Sequence, residues 1–144
     1  MSVQQISVFL ENRPGTLKKM TGVLAANKID LRATSVAETK DFGIARLIVD
    51  DAMAAVNTLK ENDFVASLTP VLAIEIPDEA GGLDKLLEIF ADAEVNIEYM
   101  YAFPGGKLID KALMIFRVAD TKAAEARLTS KGLKSLTQED ISQI

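Results

Sequence analysis

Glu11-Asn12-Arg13-Pro14-Gly15-Thr16-Leu17 stands between an alternating apolar run and a helical one, and its reading decides the fold. Upstream, Ile6, Val8 and Leu10 alternate with Ser7 and Phe9, the period-two spacing of a strand over Gln4 to Leu10. Downstream, Leu17, Met20, Val23 and Leu24 recur at intervals of three and four, a helical stripe running from Pro14 to Asn27. Arg13 precedes proline and is biased to extended backbone, while Pro14 suits a first helical turn, where its missing N–H costs nothing. Gly15 lets the backbone turn and lets a ligand approach without a Cβ in the way. The first amides of the helix carry the positive end of its dipole, so the loop suits a carboxylate.

Sixty-six residues later Pro77-Asp78-Glu79-Ala80-Gly81-Gly82-Leu83 occupies the same position between a strand and a helix. Ile6, Val8 and Leu10 are matched by Leu72, Ile74 and Ile76, and the helical stripe by Leu83, Leu86, Ile89 and Phe90. Each copy continues alike. In the first, Ile29, Leu31, Ala33, Ser35 and Ala37 alternate with Asp30, Arg32, Thr34 and Val36 as a second strand, and Thr39 to Gly43 is a turn. A third strand spans Gly43 to Val49, a helix from Ala52 to Asn62 carries Met53, Val56 and Leu59 inward, and Phe64 to Leu68 is a fourth strand before Pro70 interrupts. In the second, Tyr99, Tyr101 and Phe103 continue in phase with Val95 and Ile97, and Pro104 to Lys107 makes a longer turn that moves the spacing to 69. There follow a strand from Ala112 to Val118, a helix opened by Asp120 and stopped by Gly132, a short strand from Leu133 to Leu136 and a capped terminal turn from Thr137. The expected fold class is α+β. Two ferredoxin-like βαββαβ repeats, over residues 1–70 and 71–144, would each form an antiparallel sheet with its helices on one face.

Composition narrows the function. With 21 acidic against 16 basic residues, a net charge of −5, the chain lacks the clustered cations that nucleic-acid binding needs. The absence of His and Cys removes imidazole bases, thiol nucleophiles and most metal sites, so no catalytic residue, metal or cofactor is expected. No apolar run approaches the length of roughly 18 residues that spans a bilayer. Nothing after Met1-Ser2-Val3 resembles a secretion signal, which leads to the expectation of a cytoplasmic protein without membrane contact.

The βαββαβ order, the Glu-Asn-Arg-Pro-Gly-Thr-Leu hinge and Lys28-Ile29-Asp30-Leu31 one helix later resemble the ACT domain, an amino-acid-binding regulatory module. The whole chain resembles two such domains in tandem. Asn12 matches the polar hinge position, Gly15 the position of close backbone approach, and Asp30 the start of strand 2, where the family usually has Asn. The second copy reverses the pair with Asp78 and Asn96, and Ala80 stands where the family has Pro. The resemblance implies a free amino acid held between paired domains. Its contacts would come from Asn12, Arg13, Pro14, Gly15, Thr16 and Leu17 at one hinge, and from Asp78, Gly81, Gly82 and Leu83 at the other. Asp30 and Leu31, with Asn96 and Ile97, would complete them at the two helix-to-strand junctions. Amides would meet the carboxylate, and Asn and Asp oxygens the ammonium.

A regulatory, non-enzymatic protein follows from this resemblance, working as a homodimer on a biosynthetic enzyme or transporter. Two other readings stay open. One is an interaction subunit without a ligand of its own. The other is a ferredoxin-like α+β barrel enzyme, disfavoured because no two carboxylates fall at a spacing that places them in one cleft.

Overall fold

A computed structural model describes residues 2–38, 40–103 and 110–144 of the chain. Two compact units form, one over Gln4–Thr69 and the other over Pro70–Ile144 together with the chain start up to Val3. The anticipated turn at Pro104 to Lys107, and Thr39 of the first hairpin, lie outside the described residues.

In the first unit β1 (Val3–Glu11), α1 (Thr16–Ala26), β2 (Leu31–Glu38), β3 (Phe42–Val49), α2 (Ala52–Glu61) and the start of β4 (Val65–Pro77) follow one another. The strand order is β2-β3-β1-β4, with β3 antiparallel to both its neighbours. Ile6, Val8 and Leu10 of β1 and Ala45, Leu47 and Val49 of β3 bury one face of the sheet against Met20 and Leu24 of α1 and Ala55, Val56 and Leu59 of α2. Both helices therefore lie on the same face.

The second unit repeats the plan with β4, α3 (Gly82–Asp92), β5 (Tyr99–Phe103), β6 (Lys111–Arg117), α4 (Thr121–Ser130) and a terminal α5 (Gln138–Gln143). Here β6 pairs antiparallel with β4 and β5, Ile74 facing Met114 and Tyr101 facing Ile115. Leu72, Ile74 and Ile76 of β4 pack with Leu86 and Phe90 of α3 and Ala124 and Leu128 of α4. The repeat extends to the backbone. Lys28 and Glu94 both take positive φ, 58° and 56°, and Asp51 and Asp120 both cap their helices by accepting from the N–H three residues on.

Several expectations give way to tertiary packing. Pro14 lies in the turn before α1, because Gly15 in left-handed conformation delays the helix to Thr16. Leu17, on the first turn beside the hinge, is exposed. Met53 is exposed too, since Ala52, Ala55, Val56 and Leu59 face the sheet. A bulge between Leu31 and Ala33 breaks the alternation of β2, so Leu31 packs on the helix side while Ala33 pairs with Ile48 on the other. Pro70 does not interrupt its strand. β4 runs through it, and the Pro70 carbonyl accepts from the Arg117 guanidinium at 2.8 Å.

Tyr99, Tyr101 and Phe103 are out of phase with Val95 and Ile97. The bend at Glu98 puts Met100 into the helix-side core with those two, turning the aromatic residues to the opposite face. Leu133 to Leu136 forms no strand. One backbone bond, Leu136 N–H to the Ala73 carbonyl at 2.7 Å, stands where the fourth ladder would run.

Thr137 and Asp140 form a capping box at α5, the Thr137 N–H donating to the Asp140 carboxylate at 2.8 Å and the Asp140 N–H to the Thr137 hydroxyl at 3.2 Å. The bond from the Thr137 backbone N–H first, and then the Thr137 hydroxyl, hold the Asp140 carboxyl below its ordinary value, helped by the charge of Lys134. A depressed folded value means that the stabilisation is present above the unfolded pKa and lost as pH falls through the folded one. The protection factors of the Ile141 and Ser142 amides, measured against their intrinsic exchange rates, are therefore expected to fall in acid. Asp140→Asn should flatten that dependence, and an unchanged pH profile in the variant would count against the box.

Candidate functional site

The two hinges share one construction. Gly15 has φ 88° and ψ −12°, and Gly81 has φ 85° and ψ −5°. In both the residue after the strand is tied across the hairpin, Asn12 N–H to the Asp41 carbonyl and Asp78 N–H to the Asp110 carbonyl, each at 3.0 Å. Neither hinge helix has a side-chain cap, whereas α2, α4 and α5 are capped by Asp51, Asp120 and Thr137. The first-turn amides at the hinges are thus left without a side-chain acceptor, the arrangement that receives an anion.

The hinges differ at the next residue. Thr16 Oγ1 lies 2.8 Å from the Glu11 carbonyl oxygen and 3.0 Å from that of Arg13, so its hydroxyl donates into the hinge backbone. Gly82 stands in its place, and a Cβ there would lie 2.5 Å from the Pro77 carbonyl oxygen. The second hinge is therefore closed more tightly on its helix.

Beside the first hinge is a cleft of about 560 Å³ lined by Phe9, Leu10, Glu11, Arg13, Thr16, Lys19, Phe42, Asp63, Phe64 and Val65. Of the sequence-derived residues it gathers Arg13 and Thr16. Arg13 is engaged there by the Glu11 carboxylate at 2.7 Å. Asn12, Pro14, Gly15 and Leu17 are exposed next to it without lining it. The Asn12 side chain donates to the Lys40 carbonyl at 3.4 Å. Asp30 and Leu31 do not reach this cleft. Asp30 ion-pairs with Arg32 at 3.4 Å, and Leu31 packs on the core.

In the second unit Asn96 lines a smaller cleft of about 320 Å³, with Glu94, Val95, Asp120 and Arg127 among its walls. Asp78, Gly81, Gly82 and Leu83 line neither cleft, and Ile97 is packed on the core. Among the described residues no group of three carboxylates comes together to hold a metal ion.

Sequence reasoning did not bring Phe9, Lys19, Phe42, Asp63, Phe64 and Val65 to the hinge, because they come from four elements joined only by folding. A signal for part of this group lay in the repeat, where apolar Phe42 aligns with charged Lys111.

The sequence matches the ACT domain pair family over residues 1–144. It is similar to protein BT0572 from Bacteroides thetaiotaomicron at 36% identity, over 100% of this chain and 98% of that one, with a TM-score of 0.91. The fold is shared with the regulatory subunit of aspartate kinase from Thermus thermophilus in its ligand-free form. That match has a TM-score of 0.66 and 19% identity over 92% of each chain. The corresponding subunit from Thermus flavus matches at 0.63 and 18% over 90% of each. No curated protein matches. No described helix is long and apolar enough to cross a membrane.

Proposed function

This chain belongs to the ACT domain pair family, and from that premise we propose that it is a regulatory module that binds a free amino acid at its hinges. The observation that carries the reading is the pair of helices left uncapped behind left-handed glycines, while the three other helices among the described residues are all capped by side chains. Open space around Gly15, where an added Cβ would meet nothing within 4 Å, leaves room for a ligand carboxylate against the backbone. Asn12 at the first hinge and Asp78 at the second supply oxygens for an ammonium, and Asp30 and Asn96, which lie away from the hinge of their own unit, would add theirs from a paired copy. In this reading the chain works as a homodimer and passes the state of its sites to a biosynthetic enzyme or transporter, with no reaction of its own.

Thermal unfolding against all twenty amino acids tests the proposal. A true ligand at a hundred times its Kd adds about 2.7 kcal/mol and raises Tm. Asn12→Ala is expected to abolish the shift while the unliganded protein stays folded. Loss on Asp78→Ala alone would move the site to the second hinge. A panel that shifts nothing, with a folded protein, leaves the interaction subunit as the better reading.

A further inference from the structure

We propose that the cleft of the first unit is the side-chain pocket for an aromatic α-amino acid. This rests on the reading that the hinge takes a free amino acid, and it names the class.

Phe9, Phe42 and Val65 are 54%, 54% and 69% exposed, yet all three line the same cleft, with Leu10 and Phe64 beside them. A single exposed apolar residue needs no explanation, but a contiguous group does. The second repeat serves as an internal control. At the spacings of 66 and 69 the same positions hold Glu75, Lys111 and Lys134. The strand positions of Phe9 and Phe42 thus accept charge in the second copy without loss of the fold, so packing does not demand aromatic residues there in the first.

The charges differ in the same direction. Lys19 and Asp63 both line the cleft, and among the described residues neither makes an ion pair. Lys19 Nζ instead stands 5.8 Å from the centroid of the Phe64 ring. In the second repeat the equivalent Lys85 is held by Glu79 at 3.9 Å, and Gly132 replaces Asp63. A zwitterion with a ring answers each of these features. Its carboxylate meets the first-turn amides at Thr16 with Lys19 as the counter-charge, its ammonium meets Asp63, and its ring lies among Phe9, Phe42 and Phe64. The volume of about 560 Å³ is of the size that takes a small molecule.

The chain contains no Trp, so added L-tryptophan reports its own environment by fluorescence. Titration of the full chain is expected to give a saturable blue shift, competed by L-phenylalanine. N-acetyl-L-tryptophanamide, which lacks both charges, should bind about tenfold or more weakly. Phe42→Lys with Val65→Lys, which installs the residues of the second repeat, should weaken L-tryptophan by about tenfold or more in a protein whose circular dichroism is unchanged. Unsaturable emission, or equal binding by wild type and the double variant, overturns the proposal. So does a double variant that alters only sedimentation, because the patch is then a contact between copies. If an aliphatic amino acid raises Tm and no aromatic one does, the aromatic assignment falls and the hinge reading stands. If none of the twenty acts, both fall.

Discussion

Phe90→Ala is expected to lower the unfolding free energy by about 3–5 kcal/mol. Phe90 is the last member of the helical stripe of α3 and is buried against the second sheet, its ring 4.7 Å from that of Phe116 at 47°. Truncation removes the transfer energy of the ring, leaves a cavity, and breaks a tilted aromatic pair worth roughly 1 kcal/mol beyond its area. Phe9→Ala, on the solvent side of β1, should change stability by only about 0.5 kcal/mol. Urea unfolding followed by circular dichroism measures both. Equal effects at the two positions would contradict the packing of α3.

Gly82→Thr, which copies the first repeat into the second, should cost about 3 kcal/mol. Thr16 fits its hinge because its hydroxyl accepts the role of a backbone tie to Glu11 and Arg13. At position 82 the Cβ itself would meet the Pro77 carbonyl oxygen at 2.5 Å, an overlap with backbone that only a shift of α3 relieves. The reverse change, Thr16→Gly, removes a hydroxyl and costs about 1 kcal/mol. A Gly82→Thr variant with an unshifted urea midpoint would show that the second hinge is not closed as described.

The contrast between positions 16 and 82 shows where sequence reading stops. Both hinges are legible as strand, Gly and helix, and their glycines mark the left-handed turns that the structure contains. That one hinge is tight and the other held by a hydroxyl depends on fractions of an ångström between helix and strand end. Met53 teaches the same lesson for faces. Met53, Val56 and Leu59 satisfy helical spacing, but so do Ala52, Ala55, Val56 and Leu59, and the sheet buried the latter set, leaving Met53 outside. In β5 the alternation from Val95 to Phe103 is continuous in the sequence. The bend at Glu98, whose N–H donates to the Arg117 carbonyl at 2.9 Å, shifts the phase by one and turns the aromatic residues away from the helices.

The site divides along the same line. The hinge composition Asn12 to Leu17 could be read directly, whereas the turning of Asp30 to Arg32, away from the cleft, could not. The cleft could not, because Phe9, Lys19, Phe42 and Asp63 are brought together by pairing of β1 with β3 and by the return of the chain from α2 into β4. By itself the sequence determined the repeat, the βαββα order shared by both copies and the two glycine hinges, since periodicity and left-handed backbone are local properties of the chain. Only the tertiary structure decided that one hinge opens beside an aromatic cleft and the other closes on its helix. Those differences arise from long-range register and from the distance between a Cβ and a carbonyl, which no local spacing encodes.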